Sequence, residues 1–117
     1  MSEEIINKTY VNDFVSIAGT EPMIDAITMF GSSVMEYIDA CQALFDKGSY
    51  EDAGKEVHKI KGAASSIGLN RMMIESKKLE LELLSERENY PLKDKLDWLQ
   101  KLAASDAYEL MAYLKAK

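Results

Sequence analysis

The chain has 117 residues, with 20 acids against 14 bases, a formal net charge of -6, 47% hydrophobic and 29% charged side chains. That length and composition suit one globular domain, residues 1–117, able to bury a core without metals or disulfides, and the acidic balance argues against nucleic acid as a partner. No stretch approaches the roughly eighteen apolar residues of a membrane span, and one Cys with one His leaves no internal disulfide and no Cys/His zinc cluster.

The opening MSEEIINKTY is acidic where an export signal would be basic, and no long apolar run follows it, so the expected location is the cytoplasm. A first, weak helix covers about residues 7 to 18 and closes at Gly19, leaving Thr20 to cap the next. Pro22 fits the first turn of that second helix, which runs over residues 21 to 45 with Met23, Ile27, Phe30, Val34, Ile38, Cys41 and Phe45 on one face. Cys41 belongs to this core stripe, and burial is the reading over redox chemistry. Lys47 and Gly48 stop the helix, and Ser49 with Asp52 resembles a capping box before the third.

The third helix carries the only histidine, in the string HKIKGAASSIG from His58 to Gly68, where Gly68 ends it. Asn70 then caps a fourth helix reaching about residue 85, with Met72, Ser76, Leu79 and Leu83 on its buried side. The polar SERENYP breaks the pattern, and Pro91 opens a long last helix whose stripe is Leu92, Leu96, Leu99, Ala103, Ala107, Leu110 and Leu114. Trp98 and Tyr113 lie off that stripe, placed to clasp the short first helix. Short connections between long amphipathic helices predict an all-α fold: an antiparallel, up-and-down four-helix bundle with a short additional N-terminal helix.

On the third helix Ala53, Val57, Ile60, Ala64 and Ile67 fall in one band, and His58 projects roughly 140° from its centre, into solvent. A solvated histidine with no task fits the same spacing. Its neighbours favour a role. Gly62, one turn on, costs about 1 kcal/mol relative to alanine inside a helix, and with Ser65 a further turn along it leaves a nearly flat surface that another protein could approach. Lys61, three residues after His58, can swing its ammonium beside a group carried on the ring, and Lys55, one turn before, can assist. A phosphoryl group would gain most from that lysine. No acid is placed to complete a Ser-His-acid triad, and neither a G-x-x-x-x-G-K-[ST] loop nor another glycine-rich nucleotide turn is present, so phosphate would come from a second protein and not from ATP. Met29, Met35 and Met73, off the best core stripes, are candidates for a docking patch around His58.

The pattern H-x-[IL]-K-G-x-[AS]-x-x-x-G, read as His58, Ile60, Lys61, Gly62, Ala64 and Gly68, resembles the signature of the histidine-containing phosphotransfer (HPt) domain family. The likeness extends over nearly the whole chain, including a G-x-[LYF] turn at Gly48, Ser49 and Tyr50, and is nearest to the phosphotransfer domain at the end of hybrid sensor kinases of the anaerobic redox sensor type, where similar HKIKGAA and IGL strings occur. The resemblance implies a phosphorelay phosphocarrier and not an enzyme; with its own Met1 and no kinase region, the chain is expected to be a stand-alone relay protein unless it was cut from a larger one. His58 Nε2 would accept a phosphoryl group from a receiver-domain aspartate of a hybrid sensor histidine kinase and pass it to a response-regulator receiver. It further implies that Lys61 steadies the phosphate, Gly62 leaves room for the receiver, Ser65 belongs to the docking surface and Gly68 turns the helix. Mg²⁺ would sit in the receiver's pocket, with no cofactor in this chain and a monomer as the working state. Several members carry a glutamine where this chain has Glu80, which can accept a hydrogen bond from the ring yet would repel phosphate, with Lys61 or Lys77 shielding it. The rival readings are a helical module that docks a signalling partner without receiving phosphate, and a phosphatase-like enzyme, for which a second reactive or arginine-rich phosphate-binding feature is missing.

Overall fold

In a computed structural model that describes residues 4–116, every regular element is helical: α1 Lys8–Ala18, α2 Thr20–Asp46, α3 Tyr50–Ser66, α4 Asn70–Glu86, a single 3₁₀ turn Arg87–Asn89, and α5 Leu92–Lys115. The four long helices pack in a ring in which each touches its chain neighbours and α5 returns to α2, while α1 lies against α2. This is the expected antiparallel bundle with a short leading helix, and among the described residues no helix is long and apolar enough to cross a membrane.

The helical periodicity places the core. Met23, Ile27, Phe30, Val34, Ile38 and Cys41 of α2 are buried as their spacing predicts, and Phe45 stays half-buried, edge-on to Tyr50 with ring centroids 5.4 Å apart. Ala53, Val57, Ile60, Ala64 and Ile67 all face inward, as do Met72, Ser76, Leu79 and Leu83. Burial pushes the Cys41 thiol up to about 12, with the Glu56 carboxylate adding to it, so the sulfur stays protonated and inert.

The last helix departs from its expected stripe at one turn. Ala107 is only half-buried, and Asp106 takes the core position instead, fully shielded from solvent. Its carboxylate is met by the guanidinium of Arg71, with Nε 3.2 Å from Oδ2 and Nη2 donating to Oδ1. The fork geometry ties the start of α4 to the middle of α5 and supplies the partner that a buried charge requires.

Three cap assignments are corrected by the structure. Gly19, with φ +91°, occupies the cap of α2 and Thr20 lies inside the helix. Ser49 stands at the cap of α3 without a side-chain hydrogen bond, and Asp52 pairs with Lys55 at 3.6 Å instead of closing a box. Asn70 lies one residue inside α4, whose cap position is Leu69, and its amide donates to the Glu4 carbonyl at 3.1 Å. Tertiary contact has outcompeted local capping in that case. The C-terminal signals hold better: Gly48 and Gly68 both take left-handed φ, at +80° and +76°. After Gly68 the Leu69 N–H returns to the Ala64 carbonyl at 2.9 Å and the Gly68 N–H to that of Ser65 at 3.1 Å, a Schellman closure in which Leu69 and Ala64 are both buried.

The chain ahead of α1 seats on that same turn. Asn7 N–H donates to the Gly68 carbonyl at 2.8 Å, Ile6 pairs with Leu69 in an isolated antiparallel bridge, and the Tyr10 hydroxyl donates to the Ser66 carbonyl at 2.8 Å. Asn7 also caps α1, accepting from Tyr10 N–H at 3.1 Å. At the far end of α5, Tyr113 does hold α1, donating to Asn12 at 2.8 Å with Lys8 above its ring, whereas Trp98 faces a groove shared with α4.

Two measurements test these anchors. Gly68→Ala is expected to lose about 1–2 kcal/mol for the left-handed backbone alone, and more because its Cβ would lie 2.7 Å from Val11 Cγ2; a urea midpoint equal to wild type refutes it. Arg71→Ala, which strands the buried carboxylate, is expected to cost about 3–5 kcal/mol, and Asp106→Ala roughly half as much because Arg71 keeps access to water. The two losses compared in the same denaturant titration give the sign.

Candidate functional site

The ring of His58 stands out from α3 with 59% of its side chain exposed. The inward band of α3 fixes this orientation, since Val57 and Ile60 on either side of it are fully buried. Nδ1 lies 3.3 Å from Glu80 Oε1 on α4, at the long end for a hydrogen bond, and the Glu80 side chain is only 21% exposed. An ionised carboxylate only accepts, so the contact favours the neutral tautomer that carries its proton at Nδ1 and leaves the Nε2 lone pair open on the other side of the ring.

The helices also pack closely one turn away. Gly54 is buried against Leu84, and a Cβ on it would lie 3.2 Å from Leu84 Cδ2. Because α3 and α4 run antiparallel, Gly54 with Leu84 and His58 with Glu80 form successive rungs. The missing Cβ leaves room for the Leu84 side chain one rung from the His58–Glu80 contact. The family resemblance pointed to Glu80 as able to accept a hydrogen bond from the ring, whereas no local sequence signal marks Gly54.

Gly62 and Ser65 are both exposed, and nothing lies within 4 Å of the position a Gly62 Cβ would occupy. No internal packing therefore requires glycine there. Lys61 is half-buried and, with Lys77, lines a groove between α3 and α4; among the described residues neither makes an ion pair. Lys55 is engaged with Asp52, 3.6 Å away, and largely solvated. Lys59 pairs with Glu56 at 2.7 Å and lies 5.8 Å above the Tyr37 ring. That hydrogen bond to Glu56 raises its affinity for its proton. Gly68 sits at the base of the site as the turn that sends α4 back along α3.

The three methionines do not form one patch. Met29, 67% exposed, borders a groove between α2 and α3 with Ala63 and Ser66; Met35 lies between α2 and α5; Met73 joins Lys61 and Lys77 between α3 and α4. Only the first and last of these grooves flank α3. An exposed imidazole with one nitrogen tied back and the other free, bordered by a glycine and an unpaired lysine, is equipped for reversible attack on an electrophile delivered by another molecule.

Comparison with curated proteins gave no match, and comparison with solved structures gave none either. The model of the Hpt domain matches residues 25–112, which take in most of α2, all of α3 and α4, and nearly all of α5, with His58 and Glu80 inside the match. With most of its length covered in this way, the chain belongs to the Hpt domain family, whose members serve as non-catalytic phosphocarriers in phosphorelays.

Proposed function

We propose that residues 1–117 act as one phosphotransfer domain in which His58 Nε2 takes a phosphoryl group from the phosphoaspartate of a receiver domain and returns it to the aspartate of another. The observation that carries this reading is the state of the ring, exposed, with Nδ1 held by Glu80 and the opposite nitrogen unencumbered. In the forward step the Nε2 lone pair attacks phosphorus, an N–P bond forms, the P–O bond to the receiver's acyl oxygen breaks, and aspartate leaves as carboxylate. Nδ1 keeps its proton throughout, and Glu80 balances the positive charge that the ring acquires. The return step reverses each of these changes.

Each neighbour then has a part. Lys61 is on the same helix three residues on and can place its ammonium against the phosphoryl oxygens, while the open space above Gly62 and Ser65 admits the receiver's acidic pocket. Divalent metal belongs to that pocket, where it would clamp phosphoryl oxygens. Lys55 contributes only to the general positive potential, since Asp52 already holds it. The likeness of HKIKGAA and IGL to domains of the anaerobic redox sensor type favours partners of that kind: the receiver of a hybrid sensor kinase on one side and a response regulator on the other.

In a transfer assay with a phosphorylated receiver domain, wild type is expected to gain acid-labile phosphate and His58→Gln to fall to background; label on the variant removes His58 as acceptor. Wild type that binds receivers without ever being labelled would favour the docking-module reading. A second assay follows the lifetime of the phosphorylated protein. The N–P bond breaks faster when Nδ1 is protonated, because imidazole then leaves as a neutral group, and a carboxylate beside Nδ1 holds that proton. Glu80→Gln is thus expected to slow dephosphorylation by about threefold or more, and equal rates would exclude Glu80 from the chemistry. Gly54→Ala, whose Cβ requires Leu84 to give by a few tenths of an ångström one rung from Glu80, should shift the lifetime in the same direction as Glu80→Gln, by less, while leaving the acceptor intact.

A further inference from the structure

α4 is apolar on two sides. Its inner side, Met72, Ser76, Leu79 and Leu83, is consumed by the bundle. Its outer side repeats the feature with Ile74 and Leu81, one heptad apart, and Met73 beside them; Leu81 is 60% exposed and the other two are half-buried. Together with Lys61, Lys77 and Lys78 these residues line an open groove of about 460 Å³ along the α3–α4 seam. A helix that needed only to cover the core would carry polar groups there.

The charge on this groove has one sign. Three lysines rim it and no carboxylate lines it, although the protein as a whole carries -6. Lys78 already binds Glu75 at 3.3 Å, but Lys61 and Lys77 have no carboxylate partner among the described residues. The neighbouring groove between α4 and α5 differs, because its lysines are matched by Glu75, Glu82 and Asp94. The grooves of α2 against α3 and α5 have no charged lining at all.

From this we infer that the outer face of α4 is a docking site for an acidic amphipathic helix of a partner protein, separate from the surface over Gly62 and Ser65. The heptad spacing of Ile74 and Leu81 spans about 10.5 Å along the axis, which is the rise between residues i and i+7 of a second helix, so an apolar ladder on the partner meets Met73, Ile74 and Leu81 in register. Carboxylates flanking that ladder meet the ammonium groups of Lys61, Lys77 and Lys78. The apolar floor supplies affinity and the single-sign rim selects the acidic partner. A second copy of this chain is the less suited occupant, since two bodies of like net charge repel.

The test uses the whole protein and a fluorescent peptide of about eighteen residues, long enough to hold a helix when bound, with leucine at i, i+3, i+4 and i+7 and glutamate at the remaining positions. Saturable binding is expected, weakened about tenfold or more by either Leu81→Asp or Lys77→Glu, with unchanged circular dichroism, and unaffected by Lys93→Glu on the exposed side of α5. Equal binding by a lysine-for-glutamate peptide, or by a peptide with the same composition in scrambled order, would overturn the inference. So would affinities that ignore both variants, adsorption to phosphatidylglycerol vesicles in preference to the peptide, or self-association that Leu81→Asp abolishes.

Discussion

The site depends on one reversal of the chain. Gly68 adopts a left-handed φ that ends α3 and starts α4 two residues later, and both the Schellman bonds and the N-terminal segment lock it. From that point the two helices are committed to a register in which Leu84 meets Gly54, Glu80 meets His58, and Lys77 shares a groove with Lys61. A slip of one residue at the turn would rotate α4 by about 100° and remove all three relations together. The glycine in the signature string is thus as much a part of the histidine's environment as the residues that touch the ring.

Holding that turn involves more than the turn itself. Residues 5 to 7 lie across it, Val11 fills the space where a side chain on Gly68 would stand, and the main chain of Arg71 accepts no displacement without disturbing the fork its side chain makes to Asp106. The buried pair therefore joins the base of the α3–α4 reversal to α5, while the apolar stripes align the remaining lengths. Burial of the leucines supplies most of the free energy, roughly 1.5–3 kcal/mol for each fully buried side chain. It is indifferent to a small shift of register in a way that the Arg71 fork is not.

Amphipathic periodicity made the five helices, the direction of His58 and nearly every core residue legible from sequence, because burial of a stripe is a property of spacing alone. What could not be read that way is instructive. Asp106 satisfies the spacing of the α5 stripe, three residues after Ala103 and four before Leu110, but its charge disqualifies it until Arg71 is known to face it. Asn70 looks like a cap and is diverted by the Glu4 carbonyl, 66 residues away in the chain. Gly54 has no local signature either, since its value lies in a close approach to Leu84 that exists only after folding. Each of these depends on a partner distant in sequence. Glu80 was accessible for another reason: likeness to a family pattern pointed to the position, and the geometry then gave the contact.

The carboxylate at position 80 shapes the electrostatics around the ring. With Glu80 on the Nδ1 side, the negative charge lies across the ring from the nitrogen that would bear phosphate, so it supports a cationic ring more than it opposes the phosphoryl oxygens. Lys61 on α3 and Lys77 on α4 share one groove, and no acid lines it. Two like charges so placed destabilise each other slightly in the resting protein and are relieved by any anion that enters. In a molecule of net charge -6, that local inversion of sign sets a basic, acid-free groove on the same α3–α4 pair that carries the exposed imidazole. The imidazole is oriented by one carboxylate at Nδ1, whereas Lys61 and Lys77 make no ion pair among the described residues.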